Sequence, residues 1–199
     1  MDAGLTERRL FLIRHGETAW NAIKRLQGHS DIPLNENGRA QARRHGAKLA
    51  GLIDQPERWH FVASPLMRAS ETMAIIRDCM GLPRDEFATS QDLIELYYGA
   101  WEGKSWEELA GETPALIKKR FRNPWDTVAP GGGESHDEMQ ARVVAWYEAL
   151  PALTVAVTHS GPTRIVRGHI AKLKPDRIAV LDSHQDKFLS VTPVGFNWV

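Results

Sequence analysis

The stretch LTVAVTHSG (residues 153–161) narrows the possible folds more than any other in the chain. Its apolar residues follow one another without polar alternation, so a strand built from it must be covered on both faces, as central strands of parallel sheets are. Val155 and Val157 favour the pleated backbone, and His159, Ser160 and Gly161 cut the run off before it reaches the length of a buried helix. A second stretch, LFLIRHG (residues 10–16), is built alike: an apolar run and then, with no spacer, Arg14, His15 and Gly16.

Helical segments separate the strands. GRAQARRHGAKLAGLI is rich in Ala, Arg and Lys and closes near Gly51. HFVASP reads as a short strand, with Ser64 placed to cap and Pro65 to open the helix LMRASETMAIIRDCM. FATSQDLIELYYGAWEG reads as another short strand leading into a long loop. Ser105 with Glu108, and Ser135 with Glu138, stand at capping-box spacing, and Thr113 with Pro114 starts the helix PALIKKRF between them. Met139, Val143, Trp146 and Leu150 share one face of the helix that Ser135 opens, and that face should pack on the sheet. A helix through PTRIVRGHIAKL follows, and IAVLDS with FLSVTP reads as a closing hairpin. Strand and helix in alternation define an α/β fold. With 199 residues, no repeats and no linker, one domain is expected over residues 1–199.

Bulk properties narrow the function. The formal net charge is zero, which argues against a sequence-independent grip on nucleic acid or on an anionic membrane, so a small molecule is the expected partner. The N-terminal MDAGLTERRLFLIRHG has no apolar segment of signal-peptide length, and no window approaches the roughly 20 apolar residues that a membrane-spanning helix needs. The expected compartment is the cytoplasm. The single cysteine, Cys79, cannot form an internal disulfide or a cysteine metal cluster and reads as a small core residue.

In open parallel sheets, functional groups gather beyond the carboxyl ends of strands. If both histidine-ended strands are central and parallel, His15 and His159 face one crevice. The glycines that follow them expose backbone N–H groups suited to an anion. LIRHGETAWN, SPLMRASET, ELYYGAWEG and VTHSGPTR together, in this order, resemble the motifs of the histidine phosphatase superfamily, the phosphoglycerate mutase-like proteins. The resemblance runs from about Leu10 to Arg167. It implies a three-layer sandwich with a mostly parallel central sheet flanked by helices, and a ping-pong transfer through a phosphohistidine.

By that resemblance His15 is the nucleophile. The chemistry needs its imidazole neutral, with one nitrogen free and the other donating to a fixed partner such as a local backbone carbonyl. Arg14 and Arg68 match guanidinium groups that hold phosphoryl oxygens, Arg68 standing about one turn into its helix. His159 matches a second imidazole, protonated and donating to the phosphoryl group. The cluster of Arg14, Arg68 and His159 would oppose protonation of His15 through like charge. Glu95 matches the family's acid by its spacing to Gly99; a carboxyl beside a bound dianion can give a proton to the leaving alkoxide and then take one from water. Glu102 is its local rival and otherwise a solvated loop carboxylate. Asn21 resembles a side-chain phosphate contact, Gln27 and Gly28 fall where a loop over the site is expected, and Ser160 stands where many members have glycine. His29, His45, His60, His136, His169 and His184 form no metal-ligand pattern and read as structural or exposed, and the mechanism needs neither metal nor cofactor.

Within the family, RLQG and PGGGESHDEMQAR are closer to the phosphatase branch. A metal-independent phosphomonoesterase of a small phosphorylated metabolite is the expected function. A cofactor-dependent mutase-type phosphotransferase and a non-catalytic phospholigand-binding regulator are the alternatives. KKRFR bears on the choice, because Lys118, Lys119, Arg120 and Arg122 either reach a second phosphate or carboxylate or form a solvated helix face. The wall of the pocket is expected from WNAIKRLQGHSD, YYGAWEGKSW and RNPWDTVAPGGG, whose aromatics either meet the substrate or pack a lid.

Overall fold

In the computed structural model, which describes residues 8–199, the chain runs β1 (Arg9–Arg14), α1 (Ala19–Ala22), α2 (Glu36–Ala50), β2 (His60–Ala63), α3 (Met67–Cys79) and β3 (Ala88–Thr89). It continues through α4 (Trp106–Glu112), α5 (Pro114–Arg122), α6 (His136–Glu148), β4 (Leu153–Thr158), α7 (Ser160–Ile170), α8 (Pro175–Ala179), β5 (Leu189–Thr192) and β6 (Gly195–Trp198). Residues 1–7, read above for a leader, lie outside the described residues. Among the described residues no helix is long and apolar enough to cross a membrane.

The strands form a sheet in the order β3-β2-β4-β1-β5-β6. The first four are mutually parallel, β5 is antiparallel to β1, and β6 is antiparallel to β5. Both unalternating runs are central, and they are neighbours: β1 pairs with β4, Leu12 opposite Ala156 and Ile13 opposite Val157. Pleating sends alternate residues to opposite layers. Leu10, Leu12, Val62 and Ala156 meet Met139, Val143, Ile165 and Val166 of α6 and α7. Phe11, Ile13, Phe61, Val155 and Val157 meet Leu49, Met73 and Ile76 of α2 and α3. Each such aliphatic side chain contributes about 1.5–3 kcal/mol when fully buried, which is why the expected three-layer sandwich forms. The α6 face is as expected: Met139 and Val143 are buried, and Trp146 and Leu150 pack against the same cluster.

Several local expectations need correction. Ser64 does not cap α3; Leu66 is the N-cap residue and makes no side-chain cap bond. The first helical N–H, that of Met67, is taken by Asp31 Oδ1 at 2.7 Å. IAVLDS is no strand: it gives the end of α8 and a loop, and the C-terminal hairpin joins β5 to β6 instead. An Ile-Ala-Val run favours either state, and Pro175 at the first helical position decides for helix. Cys79, in the last turn of α3, is exposed rather than core.

The segment between β3 and α6 builds a rim above the sheet. Trp101, Leu109, Ile117 and Ala129 form a small cluster of their own there. The rim is tied to the body by backbone bonds from Leu26 N to Lys104 O and from Gly103 N to Leu26 O, at 3.0 and 2.8 Å.

Candidate functional site

Because β1 and β4 are adjacent and in register, their carboxyl ends place the His15 and His159 rings 5.0 Å apart between centroids. His15 Nδ1 lies 2.7 Å from the carbonyl oxygen of Gly16, which makes Nδ1 the protonated nitrogen and leaves Nε2 as a free lone pair. The ring is 3% exposed and lines a cavity of about 400 Å³. Its pKa is held well below the ordinary imidazole value, first by burial and then by the charges of Arg68 and Arg14. The neutral, singly tethered imidazole expected from the sequence is present.

Arg68 is the second residue of α3, not one turn in, and its side chain is fully buried. It donates through Nη1 to Ser30 O at 2.8 Å, through Nη2 to Gly28 O at 2.7 Å and through Nε to His159 Nδ1 at 3.2 Å. A guanidinium can only donate, so His159 Nδ1 is an acceptor and the ring's proton sits on Nε2, 2.8 Å from Ser64 Oγ. This corrects the expectation of a protonated His159. Burial, reinforced by the Arg68 and Arg14 charges, pushes its pKa well below the ordinary value, and the ring braces Arg68. Ser64, released from capping, serves this ring. Arg14 donates to Ser183 O at 2.7 Å, its Nε has no partner, and burial lowers its pKa to about 10, leaving it cationic at neutral pH.

Glu95 lines the same cavity. Its Oε1 accepts from the N–H groups of Gly161 and Leu96 at 2.9 and 3.0 Å. A Cβ at position 161 would lie 2.3 Å from Glu95 Oε1, so the present place of that carboxylate depends on glycine there. The backbone around Glu95 is fixed by Arg142 of α6, which donates to the carbonyls of Asp92 and Ile94 and pairs with Glu134 at 2.7 Å. Sequence reasoning missed Arg142, because on a helix it looks like any surface arginine.

Glu102 is neither a rival acid nor a solvated carboxylate. It accepts from the backbone N–H groups of His29 and Ser30 at 2.7 and 2.9 Å and from Ser30 Oγ at 2.6 Å. Glu102 thereby holds the loop whose carbonyls hold Arg68. Gly28 in that loop has φ +51°, and a Cβ there would meet Glu102 Oε1, so the tight approach requires glycine. Asn21, Gln27, Gly28 and Ser160 all line the cavity, as expected, together with Lys24, Tyr98, Trp106 and Arg164.

Arg164 was not singled out by sequence. Its Nε is held by Leu181 O at 2.6 Å. Behind it Arg120 is buried, whereas Lys118, Lys119 and Arg122 are exposed, so the solvated-face reading of KKRFR fails at Arg120 alone. His136 is buried too, with Nδ1 unpartnered, and burial plus the charges of Arg120 and Arg164 lower its pKa to about 3. Among the described residues neither Arg120 nor Arg164 is within ion-pair distance of a carboxylate. RNPWDTVAPGGG contributes nothing to the cavity wall: Trp125 is a core residue that donates to Asp137 Oδ1 at 2.7 Å, and Pro130 O braces Ala100. The described residues contain no cluster of three or more His, Cys, Asp or Glu side chains placed to hold a metal.

The fold and the site define an α/β protein whose arginine-lined pocket lies at the carboxyl ends of two neighbouring strands, each followed by histidine. A sequence profile of the histidine phosphatase superfamily, branch 1, matches residues 10–196. The chain belongs to that superfamily. Phosphoglycerate mutase-like protein 4 of Arabidopsis thaliana is 35% identical over 160 residues, covering 78% of this chain and 67% of that protein. Metal-independent phosphoserine phosphatase of the same plant is 34% identical over 163 residues, covering 79% of this chain and 66% of that protein. The chain thus spans about two thirds of the length of these relatives. A mycobacterial glucosyl-3-phosphoglycerate phosphatase, solved with VO3, superposes with a TM-score of 0.76 at 26% identity over 96% of this chain and 97% of that one.

Proposed function

We propose that the protein is a metal-independent phosphomonoesterase of a small phosphorylated metabolite, working through a phosphohistidine on His15. The observation that carries this reading is the neutral His15 ring, fixed at Nδ1 by the Gly16 carbonyl, with Nε2 unpartnered in a pocket of cationic groups. Nε2 attacks phosphorus while the ester P–O bond breaks, and Glu95 gives its proton to the leaving alkoxide. Water then attacks the phosphohistidine, Glu95 takes the water's proton, and phosphate leaves with the His15 lone pair restored. Arg14 and Arg68 offset the charge carried by the phosphoryl oxygens. His159 keeps Arg68 aimed. The relatives named as phosphatases, and the VO3 complex of one of them, support the reading.

The test is hydrolysis of a panel of phosphomonoesters with and without a chelator. The rate should be unchanged by the chelator, an acid-labile phosphoenzyme should be trapped, and His15→Ala should give neither turnover nor label. Glu95→Gln should lose about 10²–10⁴-fold in turnover. Activity that disappears with the chelator and returns with a divalent ion would sink the mechanism.

One observation favours a second reading. Among the described residues Arg164, which lines the cavity, and Arg120, buried beside Tyr98, have no carboxylate partner, and a second phosphate or carboxylate at Arg164 would offset that charge, as a mutase-type phosphotransferase requires. Assaying phosphoryl transfer between phosphoglycerates, with and without a bisphosphate primer, decides between the two.

A further inference from the structure

Between α8 and β5 the chain crosses the back of the site as an irregular strap, and its residues make bonds that neither the catalytic scheme nor the sequence motifs use. The carbonyl of Ser183 takes Arg14 Nη1, and that of Gln185 takes His45 Nε2 at 2.9 Å. The Gln185 side chain reaches further in. Its Nε2 donates to the backbone carbonyl of His15 at 3.0 Å and to Asn21 Oδ1 at 3.3 Å. Both amide orientations follow from groups whose roles are fixed. The His15 carbonyl can only accept, so the Gln185 atom facing it is nitrogen; the Thr18 N–H, 3.1 Å from Asn21, can only donate, so the Asn21 atom facing it is oxygen. With Oδ1 held by Thr18 and Gln185, the Nδ2 of Asn21 has no hydrogen-bond partner among the described residues and belongs to a residue that lines the cavity.

We infer that Gln185 is a positioning residue of the site, locking Asn21 in the orientation that presents an N–H donor to the phosphoryl group while tying the His15 backbone to the strap. This rests on the phosphoryl-binding reading of the pocket proposed above. A group without donors at position 185 frees one acceptor position on Asn21 Oδ1 and loosens its amide. A carboxylate there sets acceptor against acceptor and favours the flipped amide, whose oxygen would face the phosphoryl oxygens.

The experiment is a double-mutant cycle read two ways: kcat/KM for p-nitrophenyl phosphate, and the affinity for inorganic phosphate by calorimetry, which needs no turnover. Gln185→Met, which keeps the length without the donors, should weaken both by about tenfold, and Gln185→Glu by more. In the Asn21→Ala background Gln185→Met should change either quantity less than about twofold, because the group it orients is gone. A merely structural role would not produce that dependence on Asn21. Equal effects in both backgrounds, or no effect of Gln185→Met or Gln185→Glu in the native background, overturn the inference. A native protein that binds phosphate but hydrolyses nothing strikes the proposed reaction and leaves the cycle readable in affinities; one that does neither overturns the reading of the pocket itself.

Discussion

The floor of the site and its rim are made differently. On the floor, Arg68 and His159 are 0% exposed and His15 is 3% exposed, and apart from His15 Nε2 their side-chain polar atoms meet carbonyls, a hydroxyl or one another. On the rim, Phe121 is 64% exposed, and Arg25 and Lys104 are paired with Glu108 and Glu112 in partly exposed ion pairs. Among the described residues Arg14 and Arg68 have no carboxylate at contact distance, so an incoming dianion meets fixed cations that only more distant carboxylates offset. Arg25 and Lys104 on the rim are already compensated, and pairs of that kind contribute little to stability. Under the proposed function the floor is committed to one chemistry at phosphorus, while the rim can change its side chains, and with them the alcohol accepted, without disturbing the reaction.

The largest effect that would break this contrast concerns Arg68. Arg68→Leu removes the donor from the Gly28 and Ser30 carbonyls and from His159, and should lower turnover by about 10²–10³-fold. It should also destabilise the fold by about 1–3 kcal/mol for an unmet buried acceptor. Near-native kinetics in this variant would mean that the floor is not the reactive part. Gly161→Ala comes next: its Cβ would lie 2.3 Å from Glu95 Oε1 and must displace the carboxylate, so kcat should fall by about tenfold while thermal unfolding changes little.

On the rim, Trp106→Ala should shift KM among esters of different alcohols by several-fold and leave kcat within about threefold. A uniform loss of kcat across the panel would place Trp106 with the floor instead. The smallest effect is in stability against pH. His15, His159, His45 and His136 all have pKa values depressed by burial in the folded protein. The unfolded chain therefore binds more protons as pH falls below about 6.5, and stability drops on acidification, by at most about 1.4 kcal/mol per pH unit for each such histidine and only until pH reaches its folded pKa. For His136 the loss continues until pH reaches its folded value of about 3. His136→Phe keeps a ring against Trp125 and should reduce the stability difference between pH 7 and pH 5 by about 2 kcal/mol, measured by denaturant unfolding.

How far the sequence could be read depended on how local each residue's task is. His15 and His159 were legible because each ends an unalternating strand, and adjacency of β1 and β4 does the rest. Ser105 and Ser135 were legible as caps because a capping box lies within one turn. Ser64 was misread since its partner, His159, is remote in sequence. Arg120 was grouped with Lys118, Lys119 and Arg122 for the same reason: on one helix, only the neighbouring Tyr98 and Thr127 distinguish the buried cation from the exposed ones. Arg142, Arg164 and Gln185 carried no local mark, being an arginine on each of two helices and a glutamine in a loop.

The sequence by itself determined the layers and the pairing of the two strand-end histidines. A run that is apolar on both faces must become a central strand, and a polar residue that ends such a strand must stand at the sheet's carboxyl edge. Only the tertiary structure decided protonation and orientation. His159 is neutral because Arg68, from a different strand-helix unit, donates to it; Glu102 is spent on a loop because backbone N–H groups converge there; and Asn21 faces the cavity as a donor because Thr18 and Gln185 take its oxygen. These are hydrogen-bond choices among groups remote in sequence, and no periodicity along the chain encodes which partner will be in reach.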